Sequence, residues 1–188
     1  FVGFGSLHPS MTQKEIDEEI CRMLEIGLLG IKLHPDFQYF NIDEKSAMEL
    51  YEVVDNRMPI LLHTGDKRFG YSTPSRLANA AKHFTKQKFI AAHFGGYSEW
   101  DDSIKYLSEL ENVYVDTCSS LAFITPQEAK TYIDAFTEDR VFFATDYPMW
   151  NPSDEIERIN RIDLTETARE KIFYKNICKF LSIDIPNE

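Results

Sequence analysis

Residues 59–65 read PILLHTG: three branched apolar residues behind a proline, then an imidazole, then a glycine turn. So short a run, bounded by Pro and Gly, reads as a strand buried on both faces rather than as part of a helix. The same grammar recurs in FVGFGSLHP (1–9), GIKLHP (30–35), KFIAAHFGG (88–96), NVYVD (112–116) and VFFATDYP (141–148). It predicts six strands, at Phe1–Leu7, Gly30–Leu33, Pro59–Leu62, Lys88–Ala92, Asn112–Val115 and Val141–Ala144.

The segments between the strands have the other period. Ile16, Ile20, Met23, Leu24 and Leu28 share a helical face, and Thr12 with Glu15 three residues on forms a capping box. Helices are also expected at Glu44–Asn56, Pro74–Thr85, Asp101–Leu110 and Pro126–Phe136, the last with proline in its first turn. Each strand is thus followed by one helix, the pattern of an α/β fold with a parallel sheet. Asp154–Ile162 and the amphipathic stretch Thr165–Leu181 would close it. With no Ser/Gly linker or low-complexity tract, residues 1–188 are read as one domain.

Composition narrows the function classes. The chain has 188 residues, 43% of them hydrophobic and 27% charged, the balance of a globular domain with a full core. Its 20 basic and 31 acidic residues give a net charge of −11, a field that repels nucleic acid and anionic membrane. No apolar window reaches the roughly 18 residues of a membrane span, and no leader opens the chain, so a cytoplasmic protein is expected. Cys21, Cys118 and Cys178 form no CxxC pair and are expected to be reduced core thiols. No GxGxxG, GxxxxGK[ST] or GxSxG motif is present, which argues against nucleotide binding and an elbow serine.

The chemistry is concentrated where the strands end. His8, His34, His63, His93, Asp116 and Asp146 each close an apolar run, and only His83, in a helical run, stands apart from the other histidines. The carboxyl ends of parallel strands face one side, so these groups would converge although they are far apart in sequence. Neutral imidazole and carboxylate are zinc ligands, and a site with an open position activates water. His8 and His34, each followed by proline, are individually explained as capped strand-end residues. His63, His93 and Asp146 end runs that are otherwise apolar, and burying them unpaired would cost several kcal/mol.

Lys32 lies two residues before His34 and so on the same strand face. It can contact a substrate carboxylate or oxyanion, form a carbamylated bridging ligand, or pair with an acid such as Asp116; substrate contact or pairing is favoured over carbamate. In the loops beyond the strands, Asp66, Arg68, Gly95, Gly96 and Trp150 are weaker candidates, with Arg68 suited to an anionic substrate.

At GIKLHP, PILLHTG, FIAAHFGG and VFFATDYP the sequence resembles the amidohydrolase-related TIM-barrel family of metal-dependent hydrolases, the branch that includes aminocarboxymuconate semialdehyde decarboxylase. The resemblance runs from Phe1 to about Leu181. It implies a (β/α)8 barrel with one divalent metal, Zn²⁺ first and Mn²⁺ second. His63 would be a ligand, His93 an acid/base touching the metal-bound water, and Asp146 a ligand or the water's base; His93 also counts among the metal-site residues. Lys32, His34 and Arg68 are the substrate-binding candidates. Family members begin with a strand bearing an HxH pair, which this sequence lacks. Its six strands would be the third to eighth, so the first two strand-helix units are expected to be missing, through truncation or because the chain is a fragment.

The leading expectation is a hydrolase, or non-oxidative decarboxylase, using metal-activated water on a small carboxylated or cyclic substrate. Histidine suits the proton transfer because its ordinary pKa lies near neutrality. A rival is a non-catalytic barrel remnant that binds a ligand or partner, supported by the missing HxH; another is an open doubly wound sheet binding nucleotide at a switch point. An incomplete barrel leaves two strand edges, and a homodimer across the open edge is one way to cover them.

Overall fold

The computed structural model describes residues 1–185. Six parallel strands form one sheet: β1 (Phe4–Gly5), β2 (Gly30–Leu33), β3 (Ile60–Leu62), β4 (Phe89–Ala91), β5 (Val113–Asp116) and β6 (Val141–Phe142). They lie in strict chain order, β1-β2-β3-β4-β5-β6. Sequential order is that of a (β/α)8 barrel wall, and it removes the doubly wound alternative, whose ligand crevice needs a reversal of strand order.

The helices are α1 (Gln13–Glu25), α2 (Pro35–Gln38), α3 (Lys45–Val54), α4 (Pro74–His83), α5 (Trp100–Leu107), α6 (Pro126–Phe136), α7 (Pro152–Asn160), α8 (Glu166–Glu170) and α9 (Asn176–Leu181). Reciprocal capping boxes start α1 at Thr12/Glu15 and α6 at Thr125/Glu128. Among the described residues no helix is long and apolar enough to cross a membrane.

Two expectations about the elements need correction. The first strand is not Phe1–Leu7 but two residues, since pairing with β2 is confined to Phe4↔Gly30 and Gly5↔Ile31. Nor does one helix follow every strand. Pro35 opens the single turn α2 directly after β2, and the longer α3 comes after it. Cys21 is exposed rather than in the core, because α1 buries Ile16, Ile20 and Met23 and the next position round faces water.

Strand alternation divides the apolar residues between two faces. Ile31, Leu33, Ile60, Leu62, Phe89, Ala91, Val113 and Val115 pack under the helices in the main core. On the other face, β2–β5 align Lys32, Leu61, Ile90 and Tyr114 in one row. Beside that row, Phe180 of α9 packs its ring on Tyr114 at 4.6 Å and on Phe142 at 5.2 Å.

The outer edge of β6 is closed by the same helical segment. The Phe143 N–H donates to the Ile172 carbonyl (2.8 Å), which lies in a π-helical turn, Lys171–Lys175, joining α8 to α9. Asn176 Nδ2 donates to the carbonyls of Glu138 (2.7 Å) and Val141 (2.9 Å). An Asn176→Ala variant leaves both acceptors unmet in a buried place. It is expected to lose about 1–3 kcal/mol of stability by urea unfolding, and an unchanged midpoint would show the edge to be closed by other means.

Candidate active site

The register accounts for most of the site. Moving two residues along from Lys32, Leu61, Ile90 and Tyr114 keeps the strand face and reaches His34, His63, Ala92 and Asp116. His93 breaks this rule, because three residues beyond Ile90 it belongs to the opposite face. Its direction comes from the backbone, which turns left-handed at His93 (φ 64°) and Phe94 (φ 51°). One carboxylate holds that turn: Asp116 Oδ1 accepts the N–H groups of His93 (3.0 Å) and Cys118 (3.2 Å). Asp146, beyond β6, is also left-handed (φ 60°). Strained non-glycine backbone of this kind costs about 1–3 kcal/mol and gathers at functional sites.

A chain of hydrogen bonds assigns the imidazole protons. His93 Nδ1 lies 3.0 Å from the Cys118 carbonyl, which can only accept, so Nδ1 carries hydrogen. His93 Nε2 is then the acceptor in its 2.9 Å contact with His63 Nδ1, and that nitrogen carries hydrogen too. His63 Nε2 is left with a bare lone pair, buried and without a hydrogen-bond partner. Burial, with the neighbouring histidines adding to it, lowers the His63 pKa to about 2. The ring is therefore neutral at pH 7, and its 3.4 Å approach to the Asp36 carboxylate is not an ion pair.

Among the described residues, two sets of three residues each bring one donor atom apiece within 4.8 Å of the others: His34, Asp36 and His63, and His93, Cys118 and Asp146. The His63–His93 hydrogen bond joins them. His63 thus falls in one set and Asp146 in the other, while both ring nitrogens of His93 are engaged. The His34 ring stacks between Phe37 (3.9 Å) and His63 (4.0 Å), and burial lowers its pKa to about 4. Asp146 accepts from Ser119 Oγ (2.7 Å), which in turn receives the indole N–H of Trp150 (3.0 Å).

Lys32 has its pKa lowered by burial, opposed by the charges of Asp116 and then of Cys118 and Asp146. It lies half-buried under the acid-bearing side of the site. Arg68 is exposed at the mouth, with Nε and one Nη committed to Asp66 at 2.9 and 2.6 Å. His8 bonds Ser10 and the Gln38 carbonyl, a structural cap. The buried Cys118 thiol has its pKa raised, mainly by burial, and is no ready nucleophile.

Asp36 was not a candidate from the sequence, yet it is 1% exposed at the centre of the first set. Its neighbour Pro35 ends the strand, so strand alternation says nothing about where it points. Its burial depends on Ser72, whose hydroxyl donates to Asp36 Oδ2 at 2.5 Å from 36 residues away. The only local signal was an acid in the loop directly after a strand-end histidine.

Orphaned buried donors on His34 Nδ1, Asp36 Oδ1 and His63 Nε2 fit a metal, since nitrogen and carboxylate donors of this kind are zinc and manganese ligands. Imidazoles and carboxylates gathered at the carboxyl ends of sequentially ordered parallel strands define a barrel of the metal-dependent type. A family model described as amidohydrolase matches residues 1–183, and the chain belongs to that family. A curated relative, the 2-amino-3-carboxymuconate-6-semialdehyde decarboxylase of Dictyostelium discoideum, is 25% identical over all of this chain and 62% of its own length. An uncharacterised TIM-barrel protein from Bordetella bronchiseptica matches with TM-score 0.83 and 22% identity, over 97% of this chain and 66% of that one. A dihydroxybenzoic acid decarboxylase from Polaromonas sp. JS666, solved with manganese and the inhibitor 2-nitroresorcinol, matches with TM-score 0.74 and 19% identity, over 97% and 69%. The chain thus spans a little under two thirds of the first two relatives.

Proposed function

We propose that this chain carries the proton-transfer and metal-binding half of a site for non-oxidative decarboxylation of a small, cyclic or unsaturated carboxylate. The observation that carries the reading is the His63–His93 pair with its proton order set by the Cys118 carbonyl. The names of the Dictyostelium and Polaromonas relatives favour decarboxylation over hydrolysis.

An ion would be held by His63 through its bare Nε2, together with a carboxylate of the same rim, Asp36 or Asp146. A divalent ion, Zn²⁺ or the Mn²⁺ found in the Polaromonas relative, would supply Lewis-acid polarisation of a substrate oxygen. His93 exchanges protons only through Nε2, because Nδ1–H is fixed on a carbonyl; to act as an acid it would first take a proton from solvent at Nε2, giving up the hydrogen bond from His63, and then pass that proton to the carbon from which CO2 departs. Asp146, held by Ser119 Oγ, places a carboxylate beside His93 on the acid side of the rim. Lys32 stands where it would meet the substrate carboxylate before CO2 leaves, and Arg68 offers a cation at the mouth. Tyr97 stands 5.6 Å from the His93 ring and 6.1 Å from Phe123, which in turn meets Trp150 at 5.6 Å, a wall suited to a flat ring.

The test is CO2 release from a panel of hydroxybenzoates and unsaturated dicarboxylates, with Mn²⁺ or Zn²⁺ added and with chelator. Metal-dependent release is expected, and His93→Gln should lower it by about 10²–10⁴-fold with the fold intact. Metal-dependent hydrolysis of lactones or amides without CO2 release would assign the same residues to a hydrolase. No metal-dependent turnover in either panel would overturn the reading.

A further inference from the structure

Resting on the roles given to His93 and Asp146 above, we infer that Trp100, Phe123 and Trp150 form an aromatic strut across the mouth that holds those two residues in their working positions, with Phe123 at its centre. The chain has two tryptophans, and each commits its one polar side-chain atom to this rim. Trp100, the first residue of α5, donates its indole N–H to the His93 carbonyl at 3.0 Å. Trp150, in the loop before α7, donates its own to Ser119 Oγ at 3.0 Å, and that hydroxyl donates in turn to Asp146 Oδ2 at 2.7 Å.

The backbone that the indoles hold is strained. His93 (φ 64°), Ser119 (φ 47°) and Asp146 (φ 60°) are all left-handed residues other than glycine. Such conformations persist only where the surroundings over-determine them. Asp116 clamps the N–H of His93, and Trp100 clamps its carbonyl, which also accepts the Gly96 N–H at 3.2 Å. Among the described residues the Asp146 carboxylate has Ser119 as its one hydrogen-bond partner, so its aim depends on the hydroxyl that Trp150 fixes.

Phe123 is the contact that the two indoles share. Its ring centroid lies 6.4 Å from that of Trp100, stacked at 29°, and 5.6 Å from that of Trp150, edge-on at 88°. Aromatic pairs at such separations attract with preferred orientations, so the phenyl ring sets the plane of each indole. An indole has a single donor whose direction is fixed by its ring, so a ring that tilts loses its acceptor. Phe123 is 55% exposed and follows Cys118 and Ser119 in the loop between β5 and α6. From that loop it braces His93 through one tryptophan and Asp146 through the other.

The test is read first without substrate, by NMR of the indole N–H groups in the full chain. Both are expected to exchange with solvent more slowly than free indole, and Phe123→Ala should speed both by about tenfold or more, with Phe123→Tyr close to the parent. Circular dichroism checks each fold, and Ile156→Ala, an exposed apolar truncation on α7, is the control. In the CO2 assay Phe123→Ala is expected to lower kcat by about 10–100-fold, and Trp100→Phe, which keeps a ring and loses the donor, to lower kcat without raising KM. Indoles that exchange freely in the parent, or that stay protected in Phe123→Ala, overturn the inference whatever the activity. So does a Phe123→Ala variant that raises KM with kcat unchanged, the behaviour of a side chain that only lines the site. If the parent releases no CO2 while Phe123→Ala still frees both indoles, the decarboxylase reading falls and the strut stands.

Discussion

In chelator, the protein is expected to lose about 2–3 kcal/mol of stability between pH 7 and pH 5, more than exposed histidines would cause. The loss arises from two imidazoles that the fold keeps neutral. Burial holds His63 near 2 and His34 near 4, against an ordinary 6.5 for both. The unfolded chain takes up protons at these positions as the pH falls through 6.5, and the folded chain does not. Stabilisation is therefore complete above about 6.5 and disappears progressively down to the folded values, with a slope near 1.4 kcal/mol per pH unit for each fully buried group. His34 is only partly buried, so its share is smaller. Asp36 works in the opposite sense, since burial raises its pKa and its uptake of a proton in the fold offsets part of the loss at the acid end. Urea unfolding at pH 7, 6 and 5 reads the slope, and His63→Gln should remove the larger share of it. A midpoint that stays level across this window would mean that neither imidazole is protected.

Replacing Asp116 by alanine is expected to cost about 4 kcal/mol, the largest single-residue effect outside the apolar core. Its Oδ1 is the acceptor for two main-chain donors, those of His93 and Cys118, in a place water does not reach. Each unmet N–H costs about 1–3 kcal/mol. Asp116 is also foremost among the charges that favour the Lys32 ammonium against its desolvation, and removing it leaves that desolvation less opposed. Asp116→Asn separates the two roles, because it keeps the acceptor and removes the charge, and should cost about half as much. Equal losses in the two variants would assign the whole effect to Lys32; a loss below about 1 kcal/mol in the alanine variant would show that the left-handed turn at His93 holds without its clamp.

The strands and helices were legible because short apolar runs buried on both faces mark β3 and β4 and period 3.6 marks α1 and α6, and because Thr12/Glu15 and Thr125/Glu128 mark helix starts by local hydrogen bonding alone. His63 was legible for the same reason: an imidazole at the end of an otherwise apolar strand must have something to bind. His93 was placed in the site by its position at a strand end, but alternation would have turned it outward, and the left-handed turn that brings it in is set by Asp116, 23 residues later. Asp36 and Cys118 were not legible. Asp36 follows the end of β2 by three residues and Cys118 the end of β5 by two, in loops whose course is decided by partners remote in sequence, Ser72 for one and His93 for the other. Strand boundaries were overestimated most at β1, read as Phe1–Leu7 and observed as Phe4–Gly5, and by a residue at each end of β4 and two residues at the end of β6.

The helical segment against β6 ties distant parts of the protein into one cooperative unit. Opening the Phe143 amide to solvent requires the π turn to lift, and the Asn176 side chain sits at the end of the same turn. Amide exchange at this outer strand should therefore follow detachment of the C-terminal helices rather than local fraying. Asp146 lies three residues beyond Phe143, so a partial unfolding event that releases these helices would free that carboxylate while His34, His63 and His93 stay in place just past the ends of β2, β3 and β4. The acid side of the rim and the imidazole side thus belong to foldons of different endurance.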